Sequence, residues 1–391
     1  MAFKQVRLGD YFKFEKGLGY KGEFLAEDSD IALIGMDSHE EGGGYKENSE
    51  KFYTGPYKPE NIAEVGDVIF AGTEQGFGLL ASPLMVPESE KFTTYLFSGD
   101  VLKAVPLKPD EFSIEYLYNI YRVASFRVKA AYGDSGTTVR RISNENMGEQ
   151  MVPLPDLSIQ LAINETISII DQQIANNKLL AKNLISLCHS KYISTISSSS
   201  LKNKVKLTEI ADVKFGAPFS SKCFNITAEG KPLIRIRDLQ PQKIELWTTE
   251  SLTKGFMAHS GDLLIGMDGD FSPYLWFGED AWVNQRITKI CPTSNLGILF
   301  LYFELLTIMR VIQHGSSGST VSHLSKGELE SIEISQLTKD EALEFHKVTN
   351  PCFETVKLLK ENNMNLNRLL TSLLPSLISG TTLISLESVA S

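Results

Sequence analysis

The chain has 391 residues, 42% hydrophobic and 22% charged, which excludes disordered and fibrous classes. At roughly 100–200 residues per domain that length holds two or three domains. Lys and Arg number 38 against 48 Asp and Glu, a formal net charge of −10, which on its face argues against a nucleic-acid binder that must neutralise phosphates.

The opening residues Met1 to Arg7 carry no apolar stretch or small-residue cleavage site, so export is not expected. Short apolar runs broken by Gly, Pro and Asp then predict strands at Ile31 to Met36, Asp67 to Ala71 and Val101 to Val105. A helical stretch over Ile114 to Lys129 leads to the polar loop Gly133-Asp134-Ser135-Gly136-Thr137-Thr138. A long helix starts at Ser158, with Pro155 just upstream as its start signal. Its apolar residues recur at steps of four and three: Ile163, Ile167, Ile170, Ile174, then Ala181, Leu184 and Cys188. Asn177 sits in the same seam, a polar residue of the kind that fixes register in a coiled coil at some cost in stability. The run Ser197 to Ser200 and the Leu201-Lys202-Asn203-Lys204 that follows read as a flexible linker.

The same order then begins again. Val6-Arg7-Leu8 with Gly17 matches Val205-Lys206-Leu207 with Gly216, and Leu33-Ile34 with Asp37 matches Leu233-Ile234 with Asp238. Gly66-Asp67-Val68-Ile69 matches Gly261-Asp262-Leu263-Leu264, and Tyr116-Leu117-Tyr118 matches Phe300-Leu301-Tyr302. The first polar loop matches Gly315-Ser316-Ser317-Gly318-Ser319-Thr320, and Ser143 and Ser325 follow the two loops. Five matches in one order indicate tandem homologous halves, with offsets falling from 199 to 182 as loops shorten. The second half therefore repeats the strands at Pro232 to Ile236, Asp262 to Gly266 and Ile287 to Cys291, and a helix over Leu296 to Gln313. The most apolar run, Leu296 to Met309, contains Glu304 and is too short to span a bilayer, so it reads as a buried helix.

A second long helix is expected from about Asp340 to Ile378, with the seam Phe345, Val348, Cys352, Thr355, Leu359, Asn362, Leu366, Leu369 and Leu373. Pro351 lies inside it and should kink the helix or mark its true start. At 1.5 Å per residue each helix is about 50 Å long. That is too long to bury its stripe on a small β-rich neighbour, so the two are expected to pair as an antiparallel coiled coil; the alternative is that each is the core helix of an ordinary domain. The fold class is α+β. The segments are a front at 1–157, a helix at 158–196, a linker at 197–204, a second front at 205–337, a helix at 338–380 and a tail at 381–391.

Signatures of catalysis are missing. There is no Walker-A loop, HExxH or GxSxG. Asn350-Pro351-Cys352-Phe353 superficially resembles an amino-methyltransferase loop but lacks its second proline and sits in a helical seam. Asp268-Gly269-Asp270 after a strand is more often a turn than a metal site. His259 and His323 are each isolated, and solvated loop positions account for both. The four cysteines, Cys188, Cys223, Cys291 and Cys352, form no CxxC pair, which suggests neither a zinc site nor a disulfide framework and fits a reducing cytoplasm.

What remains is polar recognition chemistry on loops. Gly133, Ser135, Gly136, Thr137 and Thr138 in one half, and Gly315, Ser316, Ser317, Gly318, Ser319 and Thr320 in the other, can offer backbone N–H and hydroxyl groups to phosphates. Cations flank both loops: Arg127, Lys129, Arg140 and Arg141 in the first half, Arg310 and Lys326 in the second. Gln75, Arg235, Arg237, Gln285 and Arg286 are the side chains suited to base edges, although each is equally suited to a surface ion pair.

Two diverged β-rich domains, each closed by a Gly-Ser/Thr loop and a long helix, resemble the specificity (S) subunits of type I restriction–modification systems. The domain openings Val6-Arg7-Leu8 and Val205-Lys206-Leu207, the two Gly-Asp strands, and the junction Val152-Pro153-Leu154-Pro155 with Gln160 are similar to that family's. So is the ending Leu373-Leu374-Pro375-Ser376-Leu377-Ile378-Ser379-Gly380. The second half departs from it, reading Glu333-Ile334-Ser335-Gln336-Leu337-Thr338 at the junction, which leaves the start of its helix open.

The resemblance covers nearly the whole chain and implies a non-catalytic subunit with two target recognition domains, each binding half of a split double-stranded DNA site. The paired helices would set the gap between half-sites and dock two DNA methyltransferase (M) subunits. S-adenosylmethionine, ATP and Mg would belong to partner subunits only, with restriction (R) subunits joining to cleave; no membrane is involved. Differing loop residues imply an asymmetric bipartite site. A specificity subunit of a related type II system, with a fused methyltransferase–nuclease as partner, would look the same, and a coiled-coil scaffold without DNA is the alternative from another class. Residues 1–195 hold 19 Lys plus Arg against 27 Asp plus Glu, and residues 196–391 hold 19 against 21, so alone the chain should bind DNA weakly and with little sequence preference.

Overall fold

A computed structural model of the chain describes residues 3–46, 48–74, 78–131, 140–199, 203–293, 296–315 and 323–382. Two compact units emerge: residues 1–172 with 366–391, and residues 173–365. The division falls inside both long helices, Leu157–Ser198 and Lys339–Ser379. Each unit owns the start of one long helix and the end of the other.

The duplication holds strand for strand. In the first unit a five-stranded sheet runs Leu25–Ala26, Lys51–Tyr53, Ile31–Ile34, Thr94–Phe97, Ile62–Ala63, beside a four-stranded sheet Phe12–Lys16, Val101–Pro106, Val68–Ala71, Pro83–Met85. The second unit repeats both, as Phe224–Asn225, Trp247–Thr248, Lys231–Ile234, Ala281–Val283, Met257–Ala258 and as Ala211–Phe215, Ile287–Pro292, Leu263–Gly266, Pro273–Leu275. The same central pair is parallel in each, with Leu33 opposite Leu96 and Leu233 opposite Trp282. A two-stranded ladder closes each unit: Lys4–Arg7 with Met151–Leu154, and Lys204–Lys206 with Glu333–Ser335.

The duplicated sequence motifs are backbone devices. Val68-Ile69-Phe70-Ala71 is buried throughout because the strand is covered on both faces: Val68 and Phe70 join the helical core, Ile69 the core under the five-stranded sheet. Leu263, Leu264 and Ile265 divide in the same way. Gly66 and Gly261 ahead of these strands have φ of +91° and +95°, a left-handed conformation open to glycine. The aspartate that follows closes the turn, Asp67 accepting from the Glu64 N–H at 2.9 Å and Asp262 from the His259 N–H at 2.7 Å, and each faces a half-buried lysine, Lys103 or Lys289. At Gly17 and Gly216 a Cβ would collide with the carbonyl oxygen of Phe97 and of Asn284.

The expected helix over Ile114 to Lys129 breaks in two, at Ile114–Arg122 and Ala124–Ala131. Val123 turns to extended backbone, and Arg127 caps the first helix by donating to the Tyr121 and Arg122 carbonyls at 2.8 and 2.7 Å. Ile298–Gly315 is buried along its first part, at Leu299 to Leu301, Phe303 to Leu305 and Met309, and exposed at Arg310 and Val311; Glu304 is satisfied by the Tyr192 hydroxyl at 2.6 Å and the Ser335 N–H at 2.8 Å. Ser143 and Ser325 are helix N-caps, accepting from the N–H groups of Asn146 and Glu328.

The long helices run antiparallel in the second unit, where Asn177 meets Asn363, Cys188 meets Thr349 and Lys191 meets Glu344. In the first unit Ile163 and Ile167 share a core with Leu370, Leu374, Leu377 and Ile378. Along the first seam Ile163, Ile167, Ile174, Asn177, Ala181 and Cys188 are buried, with Ile170 and Leu184 partly so. Phe345 is buried where the second seam was expected to begin, but beyond it the buried stripe is displaced by one residue. Thr349, Phe353, Val356, Asn363, Leu370 and Leu374 are buried, whereas Val348, Thr355, Asn362 and Leu369 are exposed and Leu359, Leu366 and Leu373 are intermediate. Thr349 and Asn363 are polar, so counting apolar residues selects the adjacent stripe. Pro351 does not break the helix; it lies on the exposed side.

The starts of the two helices are built differently. Gln160, fully buried, accepts from the Ser113 N–H at 2.9 Å and donates to the Glu111 and Pro155 carbonyls, both at 2.9 Å. In the second half Thr338 caps the helix instead: its hydroxyl accepts from the Glu341 N–H at 3.2 Å, and its own N–H donates to the Glu341 carboxylate at 2.9 Å. Ser197 and Ser198 of the expected linker are the last residues of the first long helix.

Candidate nucleic-acid interface

Both polar loops spring from equivalent roots. In the first unit Thr73–Glu74 pairs antiparallel with Arg140–Arg141, Thr73 opposite Arg141 and Glu74 opposite Arg140. Backbone bonds Gly72 N–H to Asp100 O (3.0 Å) and Ile142 N–H to Gly72 O (2.8 Å) bind this ladder to the four-stranded sheet. In the second unit Asp268 pairs with His323, and Met267 N–H to Arg286 O (2.9 Å) and Leu324 N–H to Met267 O (2.8 Å) repeat the two bonds. Thr73, Asp100 and Arg141 therefore correspond to Asp268, Arg286 and His323.

The backbone is shared and the chemistry is not. The Asp268 carboxylate takes His323 Nδ1 on one oxygen at 2.6 Å and Arg286 Nε on the other at 3.3 Å. Arg286, His323 and Gln285 are exposed beside one another. The first unit has an exposed Asp100 where the second has Arg286, and an exposed Arg141 where the second has His323. Asp268-Gly269-Asp270 is the turn it was read as, with Gly269 at φ +75° and Asp270 accepting from the Ser272 N–H at 2.9 Å.

The other expected contacts are scattered. Arg127 is half-buried on its capping bonds, and burial lowers its pKa below the usual guanidinium value. Arg235 grips Asp238 through Nε and Nη2 at 2.9 and 2.8 Å, which holds its charge firmly and occupies the side chain. Arg237 and Arg310 are exposed on helices, Lys129 lies over the Phe126 ring, and Lys326 pairs with Glu330 at 3.6 Å over the Phe215 ring. Gln75, Gly133, Ser135, Gly136, Thr137, Thr138, Ser316, Ser317, Gly318, Ser319 and Thr320 lie outside the described residues. Thr73, Glu74 and Asp100 were missed in the sequence. The signal was the repeat itself: each lies next to a duplicated strand.

Residues 200–336 match the family described as the type I restriction modification DNA specificity domain. The chain is also similar to the type I restriction enzyme EcoBI specificity subunit of Escherichia coli, 33% identical over 128 residues, which is 32% of this chain and 27% of that one. The chain thus spans about a quarter of the length of that curated relative. Its fold is similar to that of the type I restriction–modification S subunit from M. genitalium, with a TM-score of 0.57 at 14% identity over 96% of both chains.

Proposed function

We propose that the chain is a DNA sequence-specificity subunit of a type I restriction–modification complex and is non-catalytic by itself. The observation that carries this reading is one fold built twice, with the polar loops rooted at equivalent places, a two-residue ladder in one unit and a single bridge in the other, whose side chains differ, in a chain whose residues 200–336 match a DNA specificity domain. Each unit reads one half of an asymmetric bipartite site, and the paired long helices set the spacing and dock two methyltransferase subunits. Within the second unit those helices leave Leu179, Leu187, Leu343 and Leu358 exposed, apolar side chains that suit protein partners. S-adenosylmethionine, ATP and Mg are needed only on the partners, which include restriction subunits. Basic partner surfaces would supply the affinity that a −10 chain lacks.

Among the described residues no helix is long and apolar enough to cross a membrane. Mapping methylated adenines in DNA from cells co-expressing the chain with its neighbouring methyltransferase tests the proposal. A two-part asymmetric motif is expected, and methylation without sequence preference would overturn it.

A further inference from the structure

Most arginines whose bonds are described already have their donors committed. Arg122 gives both Nη groups to Asp171, Arg7 spends Nε and Nη2 on Glu149, Arg235 spends Nε and Nη2 on Asp238, and Arg127 caps a helix. Arg286 is arranged differently. Its Nε faces Asp268 at 3.3 Å, its terminal Nη groups make no hydrogen bond among the described residues, and its side chain is 53% exposed. Its backbone is pinned as well, its carbonyl accepting from the Met267 N–H at 2.9 Å. Asp268 is held in turn by His323 at 2.6 Å. A guanidinium ion-paired through Nε, on a half-exposed side chain whose Nη groups are not committed, leaves free a two-donor fork that matches the O6 and N7 acceptors of guanine in the major groove.

We propose that Arg286, oriented by Asp268 as a positioning residue, reads a guanine in the half-site bound by the second recognition unit. The inference rests on the specificity-subunit reading and adds a base to it. The equivalent position in the first unit, Asp100, is a carboxylate that can accept hydrogen bonds but cannot donate one, so the two half-sites are read differently at this place.

The test is selection of a randomised duplex library by the full chain assembled with its methyltransferase partner. For Arg286→Ala, preference for guanine should fall roughly 5- to 150-fold at one position of one half-site and stay unchanged elsewhere. Arg286→Lys keeps the charge and loses the fork, so it should lose the same preference while keeping the salt dependence of binding. Asp268→Asn should weaken that preference, with Asp268→Glu restoring part of it. The proposal is overturned if Arg286→Ala lowers binding equally for every sequence, which marks a phosphate contact, or if it changes no position. A wild-type complex that selects no motif sinks the specificity-subunit reading itself, a different failure. Thermal melting of each variant checks the fold, and Arg286→Lys keeps the test decisive should Arg286→Ala melt early.

Discussion

Asn177 donates its side-chain amide to the side-chain oxygen of Asn363 at 2.8 Å, and Asn363 donates onward to the Ile174 carbonyl at 3.2 Å. Both residues are buried between the long helices, so each satisfies a group that would otherwise be stranded. Asn363→Leu alone should cost about 1–3 kcal/mol in urea unfolding, because the Asn177 amide loses its partner. The Asn177→Leu, Asn363→Leu double variant should recover most of that loss. Equal losses for the single and double variants would show that the pair is not coupled.

His39 is buried, with its ring nitrogens 3.0 Å from the Gly35 carbonyl and 3.3 Å from the Ile69 carbonyl. Burial outweighs these bonds and lowers its pKa to about 4 from 6.5. The folded state therefore binds the proton less readily than the unfolded one. This contribution is whole above pH ~6.5 and is lost as pH falls toward 4, amounting to roughly 3 kcal/mol. His39→Gln should flatten that part of the stability–pH curve measured by denaturant unfolding; an unchanged slope would place the acid sensitivity elsewhere.

The repeated glycines separate two physical roles. At Gly17 a Cβ would meet the Phe97 carbonyl, whereas at Gly66 nothing lies within 4 Å and the φ of +91° is the sole objection. Gly66→Ala should cost about 1–2 kcal/mol. Gly17→Ala should cost more, because two strands must separate. Comparing thermal midpoints of the two variants, with Gly216→Ala as a replicate in the second unit, checks the order.

The duplication was legible because its motifs are backbone requirements: Gly66 and Gly261 need a left-handed turn, and Gly17 and Gly216 need a close approach, whatever the loops do. The first seam was legible because Ile163, Ile167 and Ile174 are apolar where they are buried. The second was misplaced by one residue because Thr349 and Asn363 are buried and polar, which no count of apolar residues detects. The break at Val123 was hidden for a related reason, since its cause is a guanidinium reaching back from Arg127 to two carbonyls. For the candidate site, the cations of the first loop were found by proximity in sequence. The Asp268, Arg286 and His323 cluster draws on three distant segments, and its pairing exists only once the sheet has formed.

Removing an equal length, about one turn, from both long helices tests their proposed role as a spacer. One turn is 5.4 Å of helix against about 3.4 Å per base pair, so the gap in the methylated motif should shrink by one or two base pairs. Both half-sites should keep their bases, since neither loop root is altered. A motif with its gap unchanged would remove the helices from that role.

Arg140 and Arg141 stand opposite Glu74 and Thr73 at the root of the first loop, where a duplex would pass on the proposed reading. Arg141 differs from Arg286 chemically: among the described residues no carboxylate orients it as Asp268 orients Arg286, so a phosphate is its expected target. Replacing both with Ala should weaken binding by the assembled complex to cognate and non-cognate duplexes alike. The slope of log K against log salt should fall by about one for each phosphate that is no longer neutralised. Loss confined to one base position would instead make this pair a base reader, and unchanged binding would remove the first loop's root from the interface.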